Sequence, residues 1–178
     1  MQIVADTSAL IYPAKNPEFI RILKKIFKTI YIPPAVHQES IERGKELGKQ
    51  DAHLLEKLVE EGFLIIKPLD AAGVKIKEKL SKNKALGSGE IEVISLAKQM
   101  GFDKVLIDDK LASEAARVLE LKAVPITYVL ILSIGREMIS YPEGLKILHQ
   151  IISEGYRLSA EDYICLLYTS PSPRDRQK

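Results

Sequence analysis

Cysteine is nearly missing from this sequence: among 178 residues only Cys165 carries a thiol. A lone cysteine closes no intrachain disulfide and builds no cysteine-rich zinc cage, so both scaffolds are excluded. Long apolar runs are missing too. None approaches the ~20 residues that span a bilayer, which removes a membrane-spanning role. The opening Met1-Gln2-Ile3-Val4-Ala5-Asp6 has no basic leader and meets an acid early, against a signal peptide, and a cytoplasmic protein is expected. Charge of one sign is scarce: 26 lysines and arginines face 24 acids, a net +2 that names no partner. No Gly-x-x-x-x-Gly-Lys-Ser/Thr loop exists, against a nucleotide triphosphatase. Asp6-Thr7-Ser8 is not the Asp-x-Asp of a phosphohydrolase with an aspartate nucleophile. The three histidines, His37, His53 and His149, lack the pairings of a zinc site, and no nucleophile elbow supports a Ser-His-Asp triad.

What is present is a globular balance, 46% hydrophobic and 28% charged, in a length that suits one domain. Four short apolar runs predict buried strands: Ile3-Val4-Ala5, Thr29-Ile30-Tyr31-Ile32, Phe63-Leu64-Ile65-Ile66 and Val105-Leu106-Ile107. A fifth, Ala123-Val124-Pro125-Ile126-Thr127, is expected at a sheet edge because proline donates no ladder hydrogen bond. Helical stripes lie between them: Phe19, Ile22, Leu23 and Ile26; Leu54, Leu55, Leu58 and Val59; Ile91, Ile94, Ala97 and Lys98. Further helices are predicted near 110–121, 128–139, 142–153 and 159–167, and a helical arm or hairpin over 40–62. Strands alternating with helices, each strand continuously apolar, indicate an α/β protein with a mostly parallel sheet covered on both faces. One domain is expected over 1–164. From Tyr168 the chain reads Thr-Ser-Pro-Ser-Pro-Arg-Asp-Arg-Gln-Lys, without apolar periodicity and resembling translated vector or adapter sequence. Residues 165–178 are therefore expected to be a disordered or non-native tail. Basic residues crowd two segments, Arg21, Lys24, Lys25 and Lys28, and Lys75, Lys77, Lys79, Lys82 and Lys84. Such clusters bind phosphates or simply solvate a helix face.

In parallel α/β sheets ligands bind beyond the carboxyl ends of the strands. Those ends here hold acids. Asp6-Thr7-Ser8 follows the first strand. Pro33-Pro34-Ala35-Val36-His37-Gln38-Glu39 follows the second, its prolines opening a helix that carries Glu39. Asp108-Asp109 follows the fourth, and Glu90 starts a helix introduced by Gly87-Ser88-Gly89. Each acid taken singly could be a turn or capping residue, with Ser8 an N-cap. Gathered together, carboxylates repel until a hard divalent cation with oxygen ligands relieves them, and waters on such a cation supply a nucleophile for phosphodiester hydrolysis. Thr7 or Ser8 would hydrogen-bond a carboxylate or a phosphate. Positions two apart on a helix face different ways, so Glu90 is preferred over Glu92, which is left to support or to the surface. Between Asp108 and Asp109, one is expected to bind and the other to cap.

Val4-Ala5-Asp6-Thr7-Ser8-Ala9-Leu10-Ile11, Ile32-Pro33-Pro34-Ala35-Val36-His37-Gln38-Glu39, Gly87-Ser88-Gly89-Glu90-Ile91-Glu92-Val93-Ile94-Ser95-Leu96-Ala97 and Leu106-Ile107-Asp108-Asp109 resemble, in order, the motifs of PIN domains. The likeness extends over residues 2 to 163. It is similar to VapC-like toxins and nearer still to an uncharacterised prokaryotic PIN-like subgroup. It implies a three-layer α/β/α fold and a magnesium- or manganese-dependent ribonuclease acting on RNA. It also implies a homodimer and, for a toxin, a small antitoxin partner. The acids it carries over are Asp6, Glu39, Glu90 and Asp109, with Asp108 competing for the last place. The chain departs from the commonest toxin pattern in two places: a glutamate is the third acid where aspartate is usual, and Ile107 precedes the aspartate pair where a small hydroxyl residue is usual. The alternative is a non-catalytic PIN-like module that binds RNA or a protein, against which four intact carboxylates weigh.

Overall fold

The computed structural model describes residues 1–158 together with 163 and 164. The helix expected over 159–167, apart from that pair, and the tail expected over 165–178 lie outside the described residues. Contacts group the chain into two compact units, Met1–Ile126 and a second beginning at Thr127.

In the first unit the order is β1 (Gln2–Ala5), α1 (Ser8–Ala14), α2 (Pro17–Ile26), β2 (Thr29–Ile32), α3 (Pro34–His37), a π-helical turn (Gln38–Glu42), α4 (Arg43–Glu46) and α5 (Gln50–Glu60). There follow β3 (Leu64–Ile66), α6 (Ala71–Leu80), α7 (Ser88–Gln99), β4 (Lys104–Leu106), α8 (Lys110–Val118) and β5 (Lys122–Val124). All four strand pairings are parallel, in the order β3-β2-β1-β4-β5. The chain steps outward from β1 to β2 to β3, then returns past β1 to β4 and β5. Right-handed crossovers travelling in opposite directions deposit their helices on opposite faces. Accordingly α1 packs on α2 and α5, while α6 packs on α7 and α7 on α8, giving the α/β/α sandwich. The direction reverses between β1 and β4, and a crevice opens at such a reversal beyond the strand ends.

The continuously apolar strands are buried as expected: Ile3, Val4, Ala5, Val105, Leu106 and Ile107 have no exposed surface. The edge strand β3 is the exception, with Ile65 and Ile66 each 38% exposed. Helix α2 shows why a stripe becomes a helix. Asn16 caps it by accepting the Phe19 N–H at 3.0 Å, Pro17 presets its first turn, and Phe19, Ile22, Leu23 and Ile26 are buried on one side. The predicted 40–62 arm is the run from the π-helical turn through α5, folded back so tightly that a Cβ on Gly44 would stand 2.7 Å from the Ala52 Cβ.

Two boundaries are corrected. The strand expected over 123–127 ends at Val124, because Pro125 has no N–H to extend the ladder and Ile126 already begins helix α9 (Ile126–Gly135). Helix α8 stops at Val118 rather than at 121, since Glu120 takes a left-handed φ of 60° before the chain enters β5. The second unit contains most of α9 and helix α10 (Tyr141–Ser153). A capping box starts α10: the Ser140 N–H donates to Glu143 Oε2 at 2.7 Å while the Glu143 N–H donates to Ser140 Oγ at 3.4 Å. No described helix is long and apolar enough to cross a membrane.

Candidate acidic site

Asp6 sits at the reversal point. Its backbone N–H donates to Leu106 O at 3.0 Å, prolonging the pairing of β1 with β4 by one residue and fixing the side chain between the two strand ends. The carboxyl is buried, with 6% of the residue exposed. Burial is the main influence raising its pKa above the ordinary aspartate value, and the negative charge of Glu39 adds to it. The Thr7 and Ser8 N–H groups and the Ser8 hydroxyl pull the other way. The Ser8 hydroxyl donates to Asp6 Oδ2 at 3.0 Å, so Ser8 serves the carboxylate directly and is not the helix cap that its position suggests; the cap position of α1 is Thr7.

Thr7 ties the first acid to the second. Its hydroxyl donates to Glu39 Oε2 at 3.0 Å, across 32 residues of sequence. Glu39 lies not in α3 itself but in the π-helical turn after it, a widened turn of the kind that recurs at functional sites. The same oxygen lies 3.5 Å from where a Cβ on Gly89 would stand, an ordinary contact distance, so the glutamate lies against the first turn of α7.

Glu90 is the third acid to arrive. Burial raises its pKa first, and then the charges of Asp109, Asp6 and Glu39 in that order, against the Gly87 N–H, which lowers it. Four acids from four distant stretches thus share one electrostatic neighbourhood. Glu90 and Asp109 are held by backbone donors. Glu90 Oε2 accepts the Gly87 N–H at 2.7 Å, and Asp109 Oδ1 accepts the Ala112 N–H at 2.9 Å as the N-cap of α8. Asp108 turns elsewhere: its Oδ1 accepts the Ile126 N–H at 3.0 Å, at the start of α9. Both members of the aspartate pair therefore receive a helix-starting N–H, where only one was expected to cap. Among the described residues no three His, Cys, Asp or Glu side chains stand in a metal-holding arrangement. The donor set nevertheless suits magnesium or manganese in its chemistry: hard carboxylate oxygens only, two of them with proton affinities raised by burial and by one another.

Sequence reasoning missed the task of Glu92. Its Oε2 accepts the Ala35 N–H at 3.1 Å and its Oε1 pairs with Lys77 Nζ at 2.7 Å, in a largely buried position. Glu92 thus satisfies an N–H in the first turn of α3, the helix that leads to Glu39. Nothing in the local sequence announces a contact spanning 57 residues. Among the histidines, His37 Nδ1 is 3.3 Å from Glu42 Oε1, and His149 meets Tyr163 within the second unit.

The family described as PIN domain matches residues 2–168. Eleven chains among solved structures match. One is from the crystal structure of VapBC2 from Rickettsia felis bound to a DNA fragment from their promoter. It is 20% identical with a TM-score of 0.53, over 70% of this chain and 98% of that one. At that identity the likeness is one of fold. No curated protein matches.

Proposed function

The chain belongs to the PIN-domain family, and from that premise we propose that it is a metal-dependent ribonuclease that hydrolyses RNA phosphodiester bonds. The observation that supports the proposal is the Thr7 hydroxyl, beside the buried Asp6 at the point where the sheet reverses, donating to Glu39 at 3.0 Å next to the first turn of α7, which carries Glu90. A magnesium or manganese ion bound there would supply a water acidic enough to attack and would offset charge on the phosphate. Asp6, Glu39, Glu90 and Asp109 would hold it, with Asp108 kept on α9 as a support. Thr7 and Ser8 orient the two acids nearest the sheet, each through its hydroxyl. Glu90 and Asp109 each spend one carboxylate oxygen on a backbone N–H, Oε2 on Gly87 and Oδ1 on Ala112, which leaves the second oxygen of each for a cation.

Beyond the chemistry, we take residues 1–164 as one PIN-like domain acting in the cytoplasm. A homodimer is supported by Leu111 and Val118, seven residues apart on α8 and exposed by 50% and 82%. A small antitoxin that covers the acids is the partner proposed if the chain is a toxin. The capped state of Glu90 and Asp109, with no three acids among the described residues in a metal-holding arrangement, favours a second reading, a non-catalytic RNA- or protein-binding module. One experiment separates the two: RNA cleavage with manganese, comparing the native chain, Asp6→Asn and Glu90→Gln. Cleavage in the native chain alone, abolished by chelation, is expected. Manganese binding without cleavage of any RNA supports the second reading, and equal cleavage by all three chains removes both acids from the mechanism.

A further inference from the structure

A carboxylate cluster repels the polyanion it is meant to cut, so attraction must come from beside it. Between residues 71 and 86 the chain carries five lysines, Lys75, Lys77, Lys79, Lys82 and Lys84, against one acid, Glu78. This excess stands in a chain whose charges otherwise nearly cancel. Elsewhere some exposed cations are held in ion pairs: Lys24 with Glu61, Lys45 with Glu56 and Arg21 with Glu18. Here only Lys77 is paired, with Glu92, on the side of α6 that faces α7. Lys75 and Lys79, both exposed, share the outer face at i and i+4, a like-charge arrangement that an isolated helix disfavours. The dipole at the helix C-terminus explains a lysine at 79, but not the two that follow the helix.

Lys82 and Lys84 lie in a built turn. The Asn83 N–H donates to Leu80 O at 2.9 Å, Asn83 Oδ1 accepts the Ala85 N–H at 3.1 Å, the Leu86 N–H donates to Asn83 O at 3.3 Å, and Leu86 is buried. Helix α6 is fixed to α7 at both ends, by the Asp70 N–H on Gln99 Oε1 at 2.8 Å and by the Lys77–Glu92 pair. The exposed lysines are therefore held in place along an element that runs directly into Gly87 and Glu90. We propose that Lys75, Lys79, Lys82 and Lys84 form the track along which the phosphate backbone of a single-stranded RNA enters the acidic site. The identity of the strand rests on the nuclease reading above; the track itself does not.

The test is anisotropy of a fluorescein-labelled oligouridylate in chelator, where no cleavage occurs, across a potassium chloride series. The variant Lys79→Ala, Lys82→Ala, Lys84→Ala is compared with Lys25→Ala, Lys28→Ala, Lys122→Ala, which removes equal charge from exposed positions elsewhere. Each lost phosphate contact lowers the slope of log affinity against log salt by about 0.7 for a single strand, so a drop of about 2 is expected in the first variant alone. Equal drops in both variants, or none in either, overturn the track. The two proposals fail separately. Asp6-dependent cleavage with an unchanged slope sinks the track and leaves the nuclease. A slope lost in the first variant, with no cleavage by the native chain in manganese, does the reverse.

Discussion

At Asp6 the buried carboxyl holds its proton more tightly in the folded chain than in the unfolded one, with burial as the main cause. A group of that kind favours the fold fully below its unfolded pKa, and the benefit is lost as pH rises through the raised folded value. Without metal, the native chain should therefore lose stability as pH climbs out of the carboxylate range, while Asp6→Asn should lose less, keeping only the part that belongs to Glu90. At neutral pH the variant should melt higher. Manganese at a hundred times its dissociation constant should then add about 2.7 kcal/mol to the native chain and little to the variant. Thermal melts across pH, with and without manganese, decide it; a native melting point indifferent to both would remove Asp6 from the site. Thr7→Val keeps the side-chain shape and deletes the hydroxyl on Glu39. The expected cost is about 1 kcal/mol in stability and roughly tenfold or more in manganese affinity, measured by denaturation and calorimetry. Unchanged affinity would mean that Glu39 needs no such support. Asp6 and Glu39 were legible because strand ends announce themselves. The fate of Asp108 and Asp109 was not, because it depends on where the Ile126 and Ala112 N–H groups come to stand, and for Ile126 that is a long-range fact.

Among the elements, legibility followed regularity. Strands of three or four buried residues and the stripe of α2 were plain, whereas α1 has only seven residues with Pro13 inside, and the stretch from α3 to α4 is broken by a π-helical turn. Periodicity cannot find such pieces; contacts hold them. Glu92 is one such contact. Glu92→Ala frees the Ala35 N–H and leaves Lys77 unpaired, for an expected loss of about 1–3 kcal/mol, whereas Glu92→Gln keeps an acceptor for Ala35 and should lose less than half of that. Urea unfolding distinguishes them, and equal losses would show that the Lys77 charge matters more than the hold on α3. At Gly44 a methyl group would meet Ala52 at 2.7 Å, so Gly44→Ala should destabilise by roughly 1–3 kcal/mol. A midpoint in urea equal to that of the native chain would mean that the helices simply part.

For the molecule as a whole, an alternation of strands and helices was enough to foresee a parallel sheet, but not its order. The reversal about β1 gives the acids a common place, since it sets the end of β1 beside the end of β4 with a hundred residues of chain between them. One consequence concerns inheritance by halves. A cut between β3 and α6, at 67–70, would leave Asp6 and Glu39 with three strands on one piece and Glu90 and Asp109 with two strands on the other. Neither piece owns the chemistry, so each should be inert alone, and cleavage should return only when the pieces are mixed and re-form the seam between β1 and β4.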